Sequence, residues 1–202
     1  DKLIKLAEDD KINFHKTNIC FIESQKTHVQ VNNIPILSFD EFCDLESTEK
    51  YFNISVSENK IRQELANICL ERGLKPISLY ADLSLIGANN KVGIGALISE
   101  FSIITTNIKI GSFLHLNRYA SISHDCVIGD FVTFGPYASC NGNVIVEDGV
   151  YIGSGAIIKQ GSKAKPLVIG KNSIIGMGAV VTKDVPKNKT VVGNPAKILS
   201  NV

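Results

Sequence analysis

A chain of 202 residues, 44% hydrophobic and 20% charged with a formal net charge of +1, has room for one or two domains and a sizeable core. No apolar run approaches the roughly 20 residues that a membrane helix needs, and the balanced charge offers nothing for nucleic acid to bind. The five cysteines are scattered and odd in number, which argues against a disulfide framework or a zinc site and points to a reducing, cytoplasmic setting.

Residues 1–12 read as the tail of an amphipathic helix, with Leu3, Leu6 and Ala7 on one side. Residues 18–23 (NICFIE) then form a short strand, 24–33 a polar loop and 35–37 a second strand. Ser38 with Glu41 three residues later is a capping box that opens a short helix. Residues 51–56 suggest a third strand. Residues 58–72 carry the clearest helix, with Ile61, Leu65 and Ile68 at helical spacing, Ser57 as N-cap and Gly73 as terminator. Strands alternating with helices over residues 1–78 indicate a small α/β domain of Rossmann-like type. The chain opens at Asp1, so the first strand and glycine-rich phosphate turn of such a domain are expected upstream of it.

Residues 79–202 follow a different rule. From Ile86 an aliphatic residue recurs every sixth position through Val92, Ile98, Ile104, Ile110, Leu116, Ile122, Ile128, Phe134, Cys140, Val146, Ile152 and Ile158. After an eleven-residue step, which is one hexad plus the insert AKPLV at 164–168, Ile169, Ile175 and Val181 resume the phase. A period of six fits neither a helix nor an alternating strand and reads as a repeat architecture. Each unit is a short strand and a tight turn, with the first and fifth residues inward, in an all-β parallel coil. Glycine at second positions (Gly87, Gly93, Gly111, Gly129, Gly135, Gly153, Gly170, Gly176) is expected to serve unusual turn angles. From residue 151 onward eight lysines face a single acid, Asp184, which suits a polyanionic ligand at that end.

The hexads, with the closing segment VVTKDVPKNKTVVGNPAK, resemble the left-handed β-helix acyltransferases. ISVSENKIR at 54–62 and SISHDCVIGD at 121–130 are similar to the bacterial sugar acyltransferases typified by the sialic acid O-acetyltransferase and the nucleotide-4-aminosugar N-acetyltransferases. The resemblance implies a homotrimer with active sites between subunits, a nucleotide-sugar domain at 1–78, acetyl-CoA as co-substrate without a metal, and three hexads per coil. Residues eighteen apart then stack as neighbours.

It also implies roles. His124, third in its hexad and therefore outward, aligns with the family's catalytic base, and Asp125 would orient its ring. Asn117 and Thr133 would lie near the acceptor sugar. Gly142, eighteen residues after His124, would leave backbone open to a ligand, and Asn117, Gly135, Gly153 and Gly176 would line a smooth groove for pantetheine. The alternative is that turn geometry alone selects those glycines. Lys183 and Lys197 would sit at the CoA end. Glu23, Lys26, Ser57 and Asn59 would contact the nucleotide sugar, and Arg62 would join them or serve as a salt-bridged helix residue. Cys126 and Cys140 fall at inward positions and read as core rather than as nucleophiles. The implied activity is acetylation of the 4-amino group of a UDP- or dTDP-linked sugar. Acetylation of a sialic acid hydroxyl is the alternative within the fold, and a non-catalytic oligomerisation module is the alternative of another class.

Overall fold

The computed structural model describes residues 4–6, 19–23, 27–47 and 49–199. Ile4–Leu6 is a strand, β1, and not part of a helix: it pairs antiparallel with β7 (Leu79–Ala81), so backbone pairing with the repeat prevails over the amphipathic pattern. The remainder of that expected helix lies outside the described residues.

β2 (Phe21–Ile22) runs parallel to β4 (Ile34–Leu37). A hairpin joins β3 (Gln30–Val31) to β4 through Asn32 and Asn33, both at positive φ, as a tight two-residue turn requires. The polar loop expected at 24–33 therefore contains a strand. The Ser38–Glu41 capping box is formed, and it starts α1 (Phe39–Asp44).

β5 (Tyr51–Phe52), α2 (Asn59–Glu71) and β6 (Lys75–Pro76) make a right-sized βαβ crossover with parallel strands. β5 is shorter than the expected 51–56. Glu58, not Ser57, occupies the N-cap of α2 and gives no side-chain cap. At the other end Gly73, at φ 72°, allows the amides of Gly73 and Leu74 to fold back onto the carbonyls of Leu70 and Cys69. The buried side of α2 is the Arg62 and Ala66 row, while Ile61, Leu65 and Ile68 are partly exposed. The helix thus lies on the repeat through a row next to its apolar one. No described helix is long and apolar enough to cross a membrane.

From β7 onward the chain winds into a three-sided parallel β-helix whose neighbouring strands are eighteen residues apart, as in Leu97↔His115, His115↔Thr133 and Thr133↔Tyr151. Face 1 contains β7, Leu97–Ile98, His115–Leu116, Thr133–Phe134 and Tyr151–Ile152 and continues to Thr190–Val192. Face 2 stacks six strands from Leu85–Ile86 to Val180–Val181, and face 3 stacks five from Lys91–Val92 to Leu167–Ile169. At the insert the register on face 3 jumps, so that Val146 pairs with Ile169. Of the inserted residues, Leu167 and Val168 are already strand, and the bulge itself is a turn closed by Ser162 and Lys165.

The inward first and fifth positions form one continuous core, in which Ile104, Leu116, Ile122, Ile152 and Ile158 are fully buried and the small fifth-position residues Ala96, Ala120, Ala138, Ala156 and Ala179 fill the remaining space. The turn geometry departs from expectation. Positive φ falls at the fourth position of the hexad, at Asn107, Phe113, Tyr119, Asp125, Phe131, Tyr137 and Asn143, and not at the second-position glycines. Those glycines are there for closeness: a Cβ on Gly135 would stand 2.7 Å from the amide nitrogen of Ser154, and one on Gly153 2.6 Å from that of Met177. Coils about 4.8 Å apart leave no room for it.

Candidate active site

Each edge of the prism carries the third and fourth hexad positions of successive coils. The edge between faces 2 and 3 stacks Thr106 and Asn107, His124 and Asp125, then Gly142 and Asn143, and ends at the bulge after Gly161. Asp125, at φ 59°, occupies the left-handed turn position that aspartate tolerates at low cost, and this sets its carboxylate beside the preceding histidine. Its Oδ2 lies 2.8 Å from His124 Nδ1, and both side chains are about half exposed, at 49% and 45%. With the carboxylate as acceptor Nδ1 is the donor, so that in the neutral ring Nε2 is the nitrogen with a lone pair. The His124 bond is the largest of the influences holding the Asp125 carboxyl below its ordinary range, with further help from Asn107 and the charge of Lys163.

The imidazole lies over Gly142. A Cβ there would meet His124 Cε1 at 2.5 Å and Nε2 at 2.6 Å. Gly142 is consequently buried, and the space expected to be open to a ligand is taken by the ring itself. Behind the pair, Cys126 and Cys140 are buried at inward positions. Contact with Cys126 and full burial together push the Cys140 thiol well above the usual range, which suits core and not nucleophile. The lysines of the bulge, Lys163 and Lys165, are exposed on the same edge two coils beyond His124.

Other expected site residues lie elsewhere in the chain. Asn117, Gly135, Gly153 and Gly176 form their column on the edge between faces 1 and 2. There the Asn117 amide is bound to Phe134 O, Gly153 is buried, and a Cβ on Gly176 would meet Val192 at 2.7 Å. Close packing of coils demands small residues in that column, whether or not a ligand also runs along it. Lys183 and Lys197 are exposed at the far end, Lys197 on the terminal antiparallel strand. Glu23 is half-buried after β2, Ser57 is exposed before α2, and Lys26 lies outside the described residues.

Thr133 and Asn59 are engaged in a joint between α2 and face 1. Thr133 is buried and donates to Asn59 Oδ1 at 2.9 Å, while Asn59 Nδ2 donates to Gly149 O at 2.6 Å. Thr133 is therefore not free to meet an acceptor sugar. Arg62 completes the joint with no carboxylate partner among the described residues. It donates to the carbonyls of Val56, Ser57 and Phe131 at 3.0, 3.1 and 2.8 Å and to Thr133 Oγ1 at 3.0 Å. Burial pulls its guanidinium down to about 10, so it remains charged at neutral pH. His115 accepts from Arg62 at Nδ1 (3.4 Å) and donates from Nε2 to Ile54 O (2.8 Å). Burial, and then the Arg62 charge, push His115 down to about 4, so it is neutral. Arg62 is a buried residue of the joint and not a salt-bridged surface one, its Nε is left without a hydrogen-bond partner, and no spacing in the sequence announces a buried arginine held mainly by carbonyls. The pairing of His115 with Thr133 was readable from the eighteen-residue register.

Among the described residues no cluster of three or more metal-ligating side chains is present. Residues 125–160 match the family described as bacterial transferase hexapeptide (six repeats). Over 179 residues the chain is 46% identical to GDP-perosamine N-acetyltransferase of Escherichia coli O157:H7, covering 89% of this chain and 81% of that relative. WeeI from Acinetobacter baumannii AYE superposes with a TM-score of 0.88 at 44% identity, over 89% of this chain and 85% of that one. The acetyltransferase domain of PglB from Neisseria gonorrhoeae FA1090, solved in complex with acetyl coenzyme A, gives a TM-score of 0.81 at 26% identity, over 90% and 86%.

Proposed function

From a chain that belongs to the bacterial hexapeptide-repeat transferases, with left-handed β-helix sugar N-acetyltransferases as its relatives, we propose an acetyl-CoA-dependent enzyme that acetylates the 4-amino group of a nucleotide-linked aminodideoxysugar. The observation that carries the proposal is the His124–Asp125 pair, seated on an exposed edge over a glycine, in the hexad where the family resemblance places the base.

His124 Nε2 takes the proton of the acceptor amine as the nitrogen lone pair attacks the thioester carbonyl. The C–S bond then breaks, and the imidazolium returns the proton to the departing thiolate. Asp125 holds Nδ1 and favours the imidazolium during this exchange. The exposed Lys163 and Lys165 on the same edge suit the phosphates of CoA.

Residues 1–78 are read as the nucleotide-sugar domain and 79–202 as the acyltransferase domain. The parallel β2–β4 and β5–β6 pairs and the α2 crossover support a Rossmann-like arrangement. Ser57 and Glu23 are the contacts retained for the nucleotide sugar. Asn59 is withdrawn from that role because both ends of its amide are used within the joint. Similarity to an enzyme named for GDP-perosamine favours GDP as the carrier over the expected UDP or dTDP.

We assign active sites to the contacts between subunits of a homotrimer. The separation of the candidate residues supports this, because the Asn117–Gly176 column and His124 lie on the two edges that flank face 2. A neighbour seated there would bring one edge against the other.

The test is turnover of His124→Ala with GDP-, UDP- and dTDP-linked 4-amino sugars and with sialic acid. Loss of about 10²- to 10⁴-fold with the amino sugars, and with CoA binding intact, is expected. Unchanged turnover removes His124 from the chemistry, and turnover on sialic acid alone turns the acceptor from amine to hydroxyl.

A further inference from the structure

Asp125 has two carboxylate oxygens, and only Oδ2 faces His124. Oδ1 accepts from the Nδ2 of Asn107, one coil earlier on the same edge, at 3.4 Å, and Asn107 Oδ1 accepts from Asn89 Nδ2, a further coil back, at 3.4 Å. All three residues occupy the fourth position of their hexads, at φ 61°, 58° and 59°. Positive φ explains why the position tolerates asparagine or aspartate, but it does not require them, because the same position elsewhere carries Phe113, Tyr119, Phe131 and Tyr137. Asparagine also fills this position at Asn172 and Asn188 on another edge, and here the row of amides leads to the carboxylate that holds the imidazole.

We infer that Asn107 is a positioning residue for the transfer reaction: by holding Asp125 Oδ1 it turns Oδ2 towards His124 Nδ1 and keeps Nε2 as the nitrogen that faces the acceptor. The inference rests on the assignment of His124 as base. The geometry leaves Asp125 little else to hold it. Its side chain is half exposed, and the groups that face it are His124, Asn107 and the Lys163 ammonium from the bulge. Lys163 is exposed on a flexible stem and supplies charge without direction. The Asn107 amide, short-stemmed on its turn and in contact with Asn89 at 3.4 Å, supplies direction.

The experiment compares kcat and kcat/KM of Asn107→Gly and Asn107→Asp with those of the unaltered enzyme across the acidic limb of the pH profile. Glycine adopts φ 58° without strain and deletes the amide, whereas aspartate retains the shape and sets a second carboxylate against the first. Asn107→Gly is expected to lower kcat about three- to tenfold, in line with one long, exposed hydrogen bond, with KM for acetyl-CoA unchanged. The acidic limb should move to lower pH in Asn107→Gly and to higher pH in Asn107→Asp. In an Asp125→Gly background, Asn107→Gly should have no further effect, because it acts through Asp125. A fall in melting temperature with kcat and the limb both unmoved would make Asn107 purely structural and overturn the inference, and so would a full additional loss in the Asp125→Gly background. Failure of the base assignment is read separately, as retained turnover in His124→Ala.

Discussion

Gly142 and Gly153 have the same side chain and are buried for opposite reasons. The space a Cβ would take at Gly153 is filled by the backbone of the next coil, which can move only if coils separate. At Gly142 it is filled by an imidazole that can rotate away into solvent. Gly153→Ala should therefore destabilise the molecule by about 1–3 kcal/mol, the range for overpacking a tight interior. Gly142→Ala should leave thermal stability nearly unchanged yet cost turnover, because the displaced ring carries Nε2 away from its aim. Calorimetry and steady-state rates measured on both variants decide it: equal losses of stability would show that the His124 ring is not what Gly142 accommodates. The sequence showed the second-position glycines as a column but not their cause. Turn angles and close approach both select glycine, and only the φ values separate the two.

At the scale of elements, the hexad spine was fully readable, because an aliphatic residue every six positions has no other economical explanation. His124 on an outward third position followed from the same count. What the pattern could not reveal is the α2 joint. Arg62 belongs to a helix whose apolar stripe pointed to a different buried face, and its partners are mostly carbonyls, which every residue has. The capping box at Ser38 was legible because it is local. The strand at Ile4–Leu6 was not, because its partner is β7, some 75 residues away.

The joint has a testable pH signature. His115 is held neutral, at about 4 against an ordinary 6.5. The unfolded chain takes up this proton first as pH falls, so stability is fully present above about pH 6.5 and is lost between there and pH 4. The loss from this residue is on the order of 3 kcal/mol across that window. Denaturant unfolding at pH 7 and at about pH 4.5 should show a clearly smaller difference for His115→Gln than for the unaltered chain. An identical difference would mean that His115 does not report on the joint. Arg62→Met, which would strand Thr133 and several carbonyls, should cost about 3 kcal/mol or more.

For the whole molecule, the three faces differ in what they present to solvent. Face 1 is covered in part by β5 and α2, and at its edge Phe52 stacks on Phe113 and Phe113 on Phe131, with centroids 6.2 and 4.9 Å apart. Face 3 turns Lys91 and Lys109 outward. The outward row of face 2 is Leu85, Ile103, Ser121, Ser139, Ile157 and Val180, without a single charge, and Leu85, Ile103 and Ile157 are substantially exposed. Beside it runs a stack of exposed rings, Phe101, Tyr119 and Tyr137, with centroids 5.1 and 4.7 Å apart. A contiguous uncharged surface of this kind suits the subunit contact of the homotrimer proposed above. One that meets a different patch on its neighbour closes into a ring when the rotation allows three copies. Ile103→Asp combined with Ile157→Asp leaves the buried spine untouched, because both side chains point away from it. The pair should convert the proposed three-chain particle to a single chain by light scattering, with the circular dichroism of the β-helix retained, and should abolish turnover although His124 and Asp125 are intact. A particle of unchanged mass would remove face 2 from the assembly. A folded monomer with full turnover would show that one chain holds the whole site, so that the distance between the Asn117–Gly176 column and His124 is not bridged by a partner.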